Sequence, residues 1–419
     1  MMMKKCEVRK AVLFTAGHGA IPVHSLHLYC EYCKVNYHHN FRVVGEHQFA
    51  ERKLINLWIS MMLMAWTSAT NCARIFNASM TEDVFPDWQF SLSVTSDQVY
   101  DGFTILSLLE DCISQQKTLV VPHGGASRDQ LYHYCKKCTH IFENPHRKTS
   151  VIVIDGVTVS HPCCGVPNCK TPLANNHHRF CPGHSHMNSI CSIVGCSNPA
   201  VPGRKSCGHV DHQHIEDVHN ERREGPVPVT PNSTALKPRI HAQFGRCRTH
   251  NEQLFVAPCG IIVARETFYH AEALYSVIEM IKRTYRLPGT MPEHIFFDNN
   301  CSIKKIVKND PIFQKVGLTV DVFHFKCKHS IEDLFCQRNC NPSAYPELLG
   351  ENGKAWYFNS SIAEQTNAWL GGYQSICREM TAHHFNFFLD EMIRHRNIVM
   401  KNKLEREGSQ PKTWIIPTV

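Results

Sequence analysis

Between Val151 and His212 the cysteines of this chain fall into a repeating pattern. Cys164-x4-Cys169-x11-Cys181-x2-His184 is followed at once by Cys191-x4-Cys196-x10-Cys207-x4-His212. Each unit also places a proline three residues after its second cysteine, Pro172 and Pro199. Four soft ligands per unit, three thiolates and an imidazole, match the tetrahedral demand of structural Zn2+. Two such sets in succession predict two zinc knots, and a chain that must wrap two ions so closely has little room there for long helices or strands. The same stretch opens on Val151-Ile152-Val153-Ile154, a β-branched apolar run ending in Asp155-Gly156. That run predicts a strand carrying one carboxylate into the first knot.

The chain has 21 Cys and 28 His among 419 residues. Disulfide scaffolds are typically short, secreted chains. Here Met1 to Lys10 is charged and has no apolar core. No secretory signal is therefore expected, and thiols held on metal in a reducing, intracellular compartment fit better. A hydrophobic content of 43% suits globular domains, roughly two or three at this length. The net charge of +7 admits a polyanionic partner without requiring one. Leu54 to Ala73 is uncharged and about as long as a membrane span. Asn56, Ser60, Thr67, Ser68, Thr70 and Asn71 interrupt it, which favours a buried helix pair and no membrane partner.

Ala11 to Thr15, Ile21 to Tyr29 and Asn40 to Val44 read as strands around Cys30-x2-Cys33, the manner in which a zinc ribbon builds its first knuckle. Cys135-x2-Cys138 is the next such pair, and joining the two pairs gives a third zinc site. Between them Glu51 to Phe76 is rich in helix formers, and Asp97 to Ser114 carries Val99, Phe103, Leu106 and Leu109 near helical spacing. Thr95 and Gln98 supply a capping box for the latter. Beyond the knots, His212 to Arg223 reads as a short helix and Glu224 to Thr234 as a linker. Strands are expected at Leu254 to Val256 and Ile261 to Ala264, then an amphipathic helix over Thr267 to Tyr285. Further strands are expected at His294 to Asp298 and Thr319 to Phe325, and one or two helices over Ser360 to Arg396.

Asp155 and Asp298 each end an expected strand, and Glu364 lies in the first turn of an expected helix. Two strand-end acids and a helix acid are the layout of an RNase H-like nuclease or transposase site. Hard carboxylates there hold two Mg2+ or Mn2+ ions about 4 Å apart, which activate the attacking oxygen and neutralise the leaving one. Each acid alone has a plainer role, as a turn former before Gly156 or Asn299 or as a helix-capping acid. Their order along the expected elements is what points to a shared site. Lys304-Lys305, Lys308, Lys326-Cys327-Lys328, Arg246-Cys247-Arg248 and Arg394-His395-Arg396 would contact DNA phosphates without reading bases.

Ile152-Val153-Ile154-Asp155-Gly156-Val157-Thr158, then His161-Pro162-Cys163-Cys164 and the knots, resemble a CxC-type cysteine-cluster module that accompanies fungal KDZ (Kyakuja-Dileera-Zisupton) transposases. Tyr29-Cys30-x2-Cys33 through Tyr37-His38-His39-Asn40 and Gly45-Glu46-His47-Gln48-Phe49 resemble its sister module. Phe297-Asp298-Asn299-Asn300-Cys301, Asp321-x2-His324, Lys328-His329, Cys336, Asn341-Pro342 and Asn359 to Gln365 are similar to the KDZ transposase domain itself. The resemblance implies an acidic triad at Asp155, Asp298 and Glu364. Two departures stand out: Val157-Thr158 follows Gly156 where the family has Gly-Asn-Phe or a similar run, and Gln365 follows Glu364 where it has Arg. Asp321-x2-His324 resembles a signature seen in several cut-and-paste transposases; a buried strand histidine with an ordinary partner explains it equally.

The expected fold is α/β (α+β): an RNase H-like mixed sheet with flanking helices, interrupted by a tandem zinc-knot insertion and preceded by an N-terminal helical domain with a zinc ribbon. The expected boundaries are 1–148 for that first domain, 149–223 for the zinc module, 224–245 for a linker, 246–405 for the transposase-like domain and 406–419 for a tail. The module's first strand, 150–160, belongs to the RNase H-like sheet. The expected activity is DDE-type phosphodiester hydrolysis or strand transfer on DNA in the nucleus, with zinc modules binding DNA or a partner and a homo-oligomer compatible with it. The competing expectation is a domesticated, catalytically inactive zinc protein on DNA or chromatin. The chain opens within what reads as a β element, as a truncated copy would.

Overall fold

The computed structural model describes residues 3–37, 47–80, 85, 87–116, 118, 130–143, 146–224, 241–350, 353 and 355–416. It divides into two compact units, one formed by residues 1–128 with 387–399, the other by 129–386 with 400–419.

In the first unit β1 (Met3–Thr15) and β2 (Gly19–Cys30) form a long antiparallel hairpin. β3 (Val35–Tyr37) extends it on one side, and β4 (Gln48–Ala50) pairs in parallel with β1 on the other. The third strand expected at Asn40 to Val44 lies outside the described residues. Three helices follow: α1 (Arg52–Ala65), α2 (Ala69–Met80) and α3 (Ser96–Gln115). The uncharged run is indeed a helix pair, broken where Trp66 turns left-handed at φ 47°. Phe14 packs edge-on against Phe76, which does the same against Trp58, with centroids 5.8 and 6.2 Å apart. The expected capping box opens α3: Gln98 N–H donates to Thr95 Oγ1 and Thr95 N–H to Gln98 Oε1. No helix among the described residues is long and apolar enough to cross a membrane.

The second unit begins with β5 (Gln130–Tyr134), β6 (Thr139–Glu143), β7 (His146–Val157) and the short β8 (Pro162–Cys163). The knots come next, then α4 (Val210–Glu224) and the short β9 (Cys247–Arg248). β10 (Asn251–Val256), β11 (Ile262–Phe268), α5 (Leu274–Thr284), β12 (His294–Phe296), α6 (Asn300–Ile306) and β13 (Gly317–Thr319) complete the sheet region. Then come α7 (Val322–Cys327), α8 (Leu334–Asn339), α9 (Ile362–Gly371), α10 (Gln374–Cys377), α11 (Ala382–Arg406), whose residues 387–399 belong to the first unit, and β14 (Lys412–Ile416). Of the expected linker, 225–240 lie outside the described residues. Residues 412–416, expected within a tail, pair with β5.

The main sheet has the order β11-β10-β7-β12-β13, with β6 paired to the start of β7. β7, β10 and β11 are successively antiparallel, whereas β12 runs parallel to β7 and β13 parallel to β12. Ile152 and Ile154 join Phe255, Val277, Ile281, Ile295, Phe297 and Leu318 in one buried cluster. Each such side chain contributes about 1.5–3 kcal/mol by leaving water. On the other face, a methyl placed on Gly371 of α9 would touch Val157 at 3.7 Å, so the odd-numbered residues of β7 face α9. A Cβ on Gly156 would lie 2.2 Å from Asn251 Nδ2 and 2.9 Å from Gln253 Oε1, so any larger residue would have to displace those two amides. A buried ion pair, Glu252 with Arg265, joins β10 to β11, and Thr267 donates to the same carboxylate.

Two elements differ from expectation. The helix after β11 starts at Leu274, because 262–268 are held in the hairpin. The strand expected at Thr319 to Phe325 ends at Thr319, and Asp321 caps α7 by accepting from the backbone N–H of Phe323 and His324. The capping carboxylate overrides the β preference of Val322 and Phe323.

Candidate metal centres

The tandem repeat folds as two four-ligand clusters. In the first, Cys164, Cys169, Cys181 and His184 have all ligand atoms within 4.8 Å of one another. Cys169 and Cys181 sulfurs are 3.8 Å apart, and His184 Nδ1 lies 3.5 Å from Cys164 and 3.3 Å from Cys181. In the second, Cys191, Cys196, Cys207 and His212 repeat the arrangement, with distances of 3.9, 3.6 and 3.3 Å between the equivalent atoms. A tetrahedral zinc with Zn–S near 2.3 Å and Zn–N near 2.0 Å sets sulfurs about 3.8 Å apart and sulfur about 3.5 Å from nitrogen. The donor set and its spacing fit structural zinc.

Local chemistry delivers each histidine. A 3-10 turn at Pro182–Ser189 starts on Cys181 and carries His184. His212 sits in the first turn of α4, and Glu216 one turn later accepts from Lys205 N–H, Ser206 N–H and Ser206 Oγ–H at 2.8, 3.0 and 2.5 Å. Burial alone would raise the Glu216 carboxyl, but those donors hold it below the usual carboxylate range. They also pin the segment that presents Cys207. The apolar clusters beside the knots are small, Phe180 with Val166, Leu173 and Met187 in one and Ile193 with Phe244 in the other.

Cys135 and Cys138 form a different set from the one expected. They gather with His133 and Cys259, again within 4.8 Å. Cys135 and Cys138 sulfurs are 3.4 Å apart, and His133 Nε2 is 3.2 Å from Cys259. The cluster clips the β5–β6 turn to the β10–β11 turn, where Gly260 adopts φ 94° behind Cys259. Cys30, buried, and Cys33, exposed, belong to the first unit and to none of the clusters formed by described residues. The expected Cys30-Cys33-Cys135-Cys138 ribbon is replaced by a set whose ligands all lie on the β5–β6 and β10–β11 hairpins. The compact His133-x-Cys135-x2-Cys138 spacing was the available signal; Cys259 is brought in only by the sheet.

The expected acids lie along one edge of the same sheet. Val153 pairs with Phe296 and Phe296 with Thr319 in parallel register. Two residues on, β7, β12 and β13 lead to Asp155, Asp298 and Asp321. Asp155 Oδ1 accepts from Gly156 N–H, and Oδ2 accepts from Asn367 Nδ2 of α9, both at 2.8 Å. Burial, with the nearby Asp298 charge, pushes the Asp155 carboxyl up to about 6. Burial and Asp298 raise Glu272 as well, a residue that sequence reasoning missed. Glu364, three residues before Asn367 on α9, joins Asp321 and His324 within 4.8 Å. His324 Nδ1 lies 2.5 Å from Asp321 Oδ2 and 3.5 Å from Glu364 Oε1. Asp155 and Asp298 thus share a field with Glu272, and the third expected acid, Glu364, gathers with Asp321 and His324. Asp321 and His324 were expected within a strand and are instead a helix cap and a residue of the helix that it opens.

Several expected phosphate contacts are engaged by the protein itself. Arg246 and Arg248 both pair with Glu379, at 2.8 and 2.5 Å. Arg394 pairs with Glu391 and Glu110, and Lys304 donates to the Asn339 carbonyl. Lys305, Lys308, Lys326 and Lys328 are exposed.

Residues 2–80 match the family described as a CxC5 like cysteine cluster associated with KDZ transposases, and residues 153–218 match the CxC6 like cysteine cluster associated with KDZ transposases. No curated protein and no solved structure matches the chain. The first match contains Cys30 and Cys33; the second begins within β7 and contains Asp155 and both knots. Together they mark the chain as a KDZ transposase-associated protein.

Proposed function

We propose that this chain is a DDE-type DNA-processing protein whose second unit is an RNase H-like domain with a zinc module inserted after its first strand. The observation that carries the proposal is the register of β7, β12 and β13, which leads three aspartates, Asp155, Asp298 and Asp321, to one edge of a sheet ordered β11-β10-β7-β12-β13. α9 supports it by setting Asn367 against Asp155 and Glu364 against His324.

Asp155, Asp298 and Glu364 would hold Mg2+ or Mn2+. The donor set fits: hard oxygens from separate elements, with the Asp155 carboxyl raised by burial and by the nearby Asp298 charge, a cost that a divalent cation would relieve. When bound, such ions supply Lewis-acid activation of an attacking water or 3′-hydroxyl and neutralisation of the leaving oxygen. The chain's own contributions are positional. Gly156 N–H and Asn367 orient the two Asp155 oxygens, and His324 bridges Asp321 to Glu364. The exposed Lys305, Lys308, Lys326 and Lys328 would contact DNA phosphates, a partner that also implies the nucleus. The knots would serve as a docking module for DNA or another chain.

The grouping of Glu364 with Asp321 and His324 favours a second reading, an inactive zinc protein that keeps the fold and binds DNA or chromatin. Nicking of supercoiled plasmid by the purified full chain in Mn2+ separates the two. The enzyme reading expects nicking that Asp298→Ala reduces on the order of a hundredfold or more, the scale of losing a metal-binding carboxylate. No nicking, or equal nicking by Asp298→Ala, sinks it.

A further inference from the structure

Cys301, His329, Cys336 and Cys340 lie apart from the clusters described above. Cys301 is in the first turn of α6, His329 follows α7, and Cys336 and Cys340 are one turn apart on α8 and at its end. All three thiols are buried and pack with Val320 and Phe325. Cys301 and Cys336 sulfurs are 2.9 Å apart, and His329 Nδ1 lies 3.4 Å from Cys301 and 3.1 Å from Cys336. These three ligand atoms lie within 4.8 Å of one another, and Cys340, outside that set, is buried beside them in the same apolar cluster.

Thiols can gather as small hydrophobes, but the imidazole does not fit that account. His329 Nε2 lies 3.0 Å from the backbone carbonyl oxygen of Asp298. A carbonyl only accepts, so Nε2 carries the proton and Nδ1 presents its lone pair to the two sulfurs. This is the tautomer of a metal-bound histidine, whose second nitrogen is held by a backbone or carboxylate oxygen. Both local turns are braced for the purpose. Asn300 Nδ2 donates to the carbonyls of Ile295 and Thr319, at 2.8 and 2.7 Å, fixing the turn that carries Cys301. Asp333 accepts from Cys336 N–H at 3.0 Å and caps α8.

We propose that Cys301, His329 and Cys336, with the neighbouring Cys340 closing in as fourth ligand, bind a further zinc ion, and that this ion, through the His329 hydrogen bond, fixes the main chain at Asp298. The zinc site stands on its donor set; its consequence for Asp298 rests on the DDE reading. In that role His329 is a positioning residue.

The test is the zinc content of the full chain, by elemental analysis and native mass, in the wild type, Cys336→Ser and His329→Cys. Cys336→Ser is expected to lose about one equivalent of zinc. His329→Cys is expected to keep it, since four thiolates also make a tetrahedral zinc set, and to strengthen the thiolate-to-cobalt charge-transfer band after cobalt exchange. A full zinc complement in Cys336→Ser overturns the proposal, as does an unchanged cobalt spectrum in His329→Cys or a Cys301–Cys336 disulfide in the zinc-loaded wild type. If Cys336→Ser does not fold, His329→Cys decides. Where the wild type nicks DNA, Cys336→Ser is expected to lose roughly 10–100-fold in activity, the scale of an outer-shell metal contact. A wild type that never nicks sinks the DDE reading and leaves the zinc count to decide this site alone.

Discussion

The two knots and the carboxylate edge are neighbours in sequence and opposites in construction. In each knot the four ligands fall within about twenty residues, on loops, a 3-10 turn and the start of α4. The edge draws Asp155, Glu272, Asp298, Asp321 and Glu364 from five separate elements or their ends, across a sheet with a large apolar core. Metal ligation can hold a short segment with almost no core, whereas carboxylates that repel one another need a rigid frame to stay together. The knots should therefore depend on zinc for their fold, and the sheet that carries the edge on packing, with the ion proposed beside Asp298 fixing only the main chain there.

Zinc removal is the strongest way to break that contrast. Structural zinc supplies apparent folding free energies of about 10–16 kcal/mol in small metallo-domains. A chelator is expected to abolish amide protection over residues 164–212 while β7, β10 and β12 keep theirs by hydrogen exchange. Knots that stay protected without zinc would mean that packing holds both regions.

The frame of the edge has its own weak point. Glu252 and Arg265 are an ion pair with both side chains almost wholly out of water, 0% and 3% exposed. Removing one partner strands the other charge, at about 3–5 kcal/mol. Arg265→Met is expected to shift the denaturation midpoint by that amount and leave the zinc content of the knots unchanged. Adding Glu252→Leu should recover much of the loss, because an apolar pair of similar volume does without the desolvation cost. A single variant as stable as the wild type would show that the hairpin does not depend on this pair.

Asp155 tests the edge from the opposite direction, since a carboxylate held at about 6 against an ordinary 3.8 destabilises the folded state once ionised. Its favourable contribution is complete below about pH 3.8 and is lost as pH rises through 6. Asp155→Asn removes that penalty. Asn367 Oδ1 is buried without a hydrogen-bond partner, so a flip of that amide lets it accept from the new side chain. The variant is expected to gain roughly 1–3 kcal/mol at pH 7 and little at pH 4. In the wild type, stabilisation by Mn2+ should appear only as pH rises past about 6, and Asp155→Asn should lack it. A variant no more stable at neutral pH would remove the strained carboxylate from the account.

The same contrast explains what could be read from the sequence. Cys164 to His212 announced itself by spacing because its ligands are local. Cys135 and Cys138 were visible as a pair, but their partners were not: Cys259 is supplied by the β10–β11 turn, a product of strand pairing. Asp155 and Asp298 were legible at the ends of apolar runs; β7 continues past Asp155 to Val157, Asp298 lies two residues beyond β12, and strand order sets the two strands side by side. Asp321 was misread because Val322 and Phe323 favour a strand until the aspartate caps a helix. Glu272 carried no local signal, as its closeness to Asp298 arises from the chain's path between β11 and α5.

One strap joins the two regions, and loosening it should have the smallest effect. Glu379, after α10, accepts from Arg246 and Arg248, while Asn176 in the first knot donates to the Glu379 carbonyl at 2.6 Å and accepts from Arg246 at 2.8 Å. Arg246 and Arg248 hold the Glu379 carboxyl below its usual range, but it is about half exposed, so solvent screens the pairs. Glu379→Gln is expected to cost at most about 1 kcal/mol of global stability. Its effect should instead be local, as faster amide exchange over 174–179 with the zinc content intact. It would also take the acidic partner from both arginines, so DNA affinity at low salt should rise if this face meets phosphates. Unchanged exchange at 174–179 would show that the first knot needs no support beyond its metal, which would make the separation between the two regions complete.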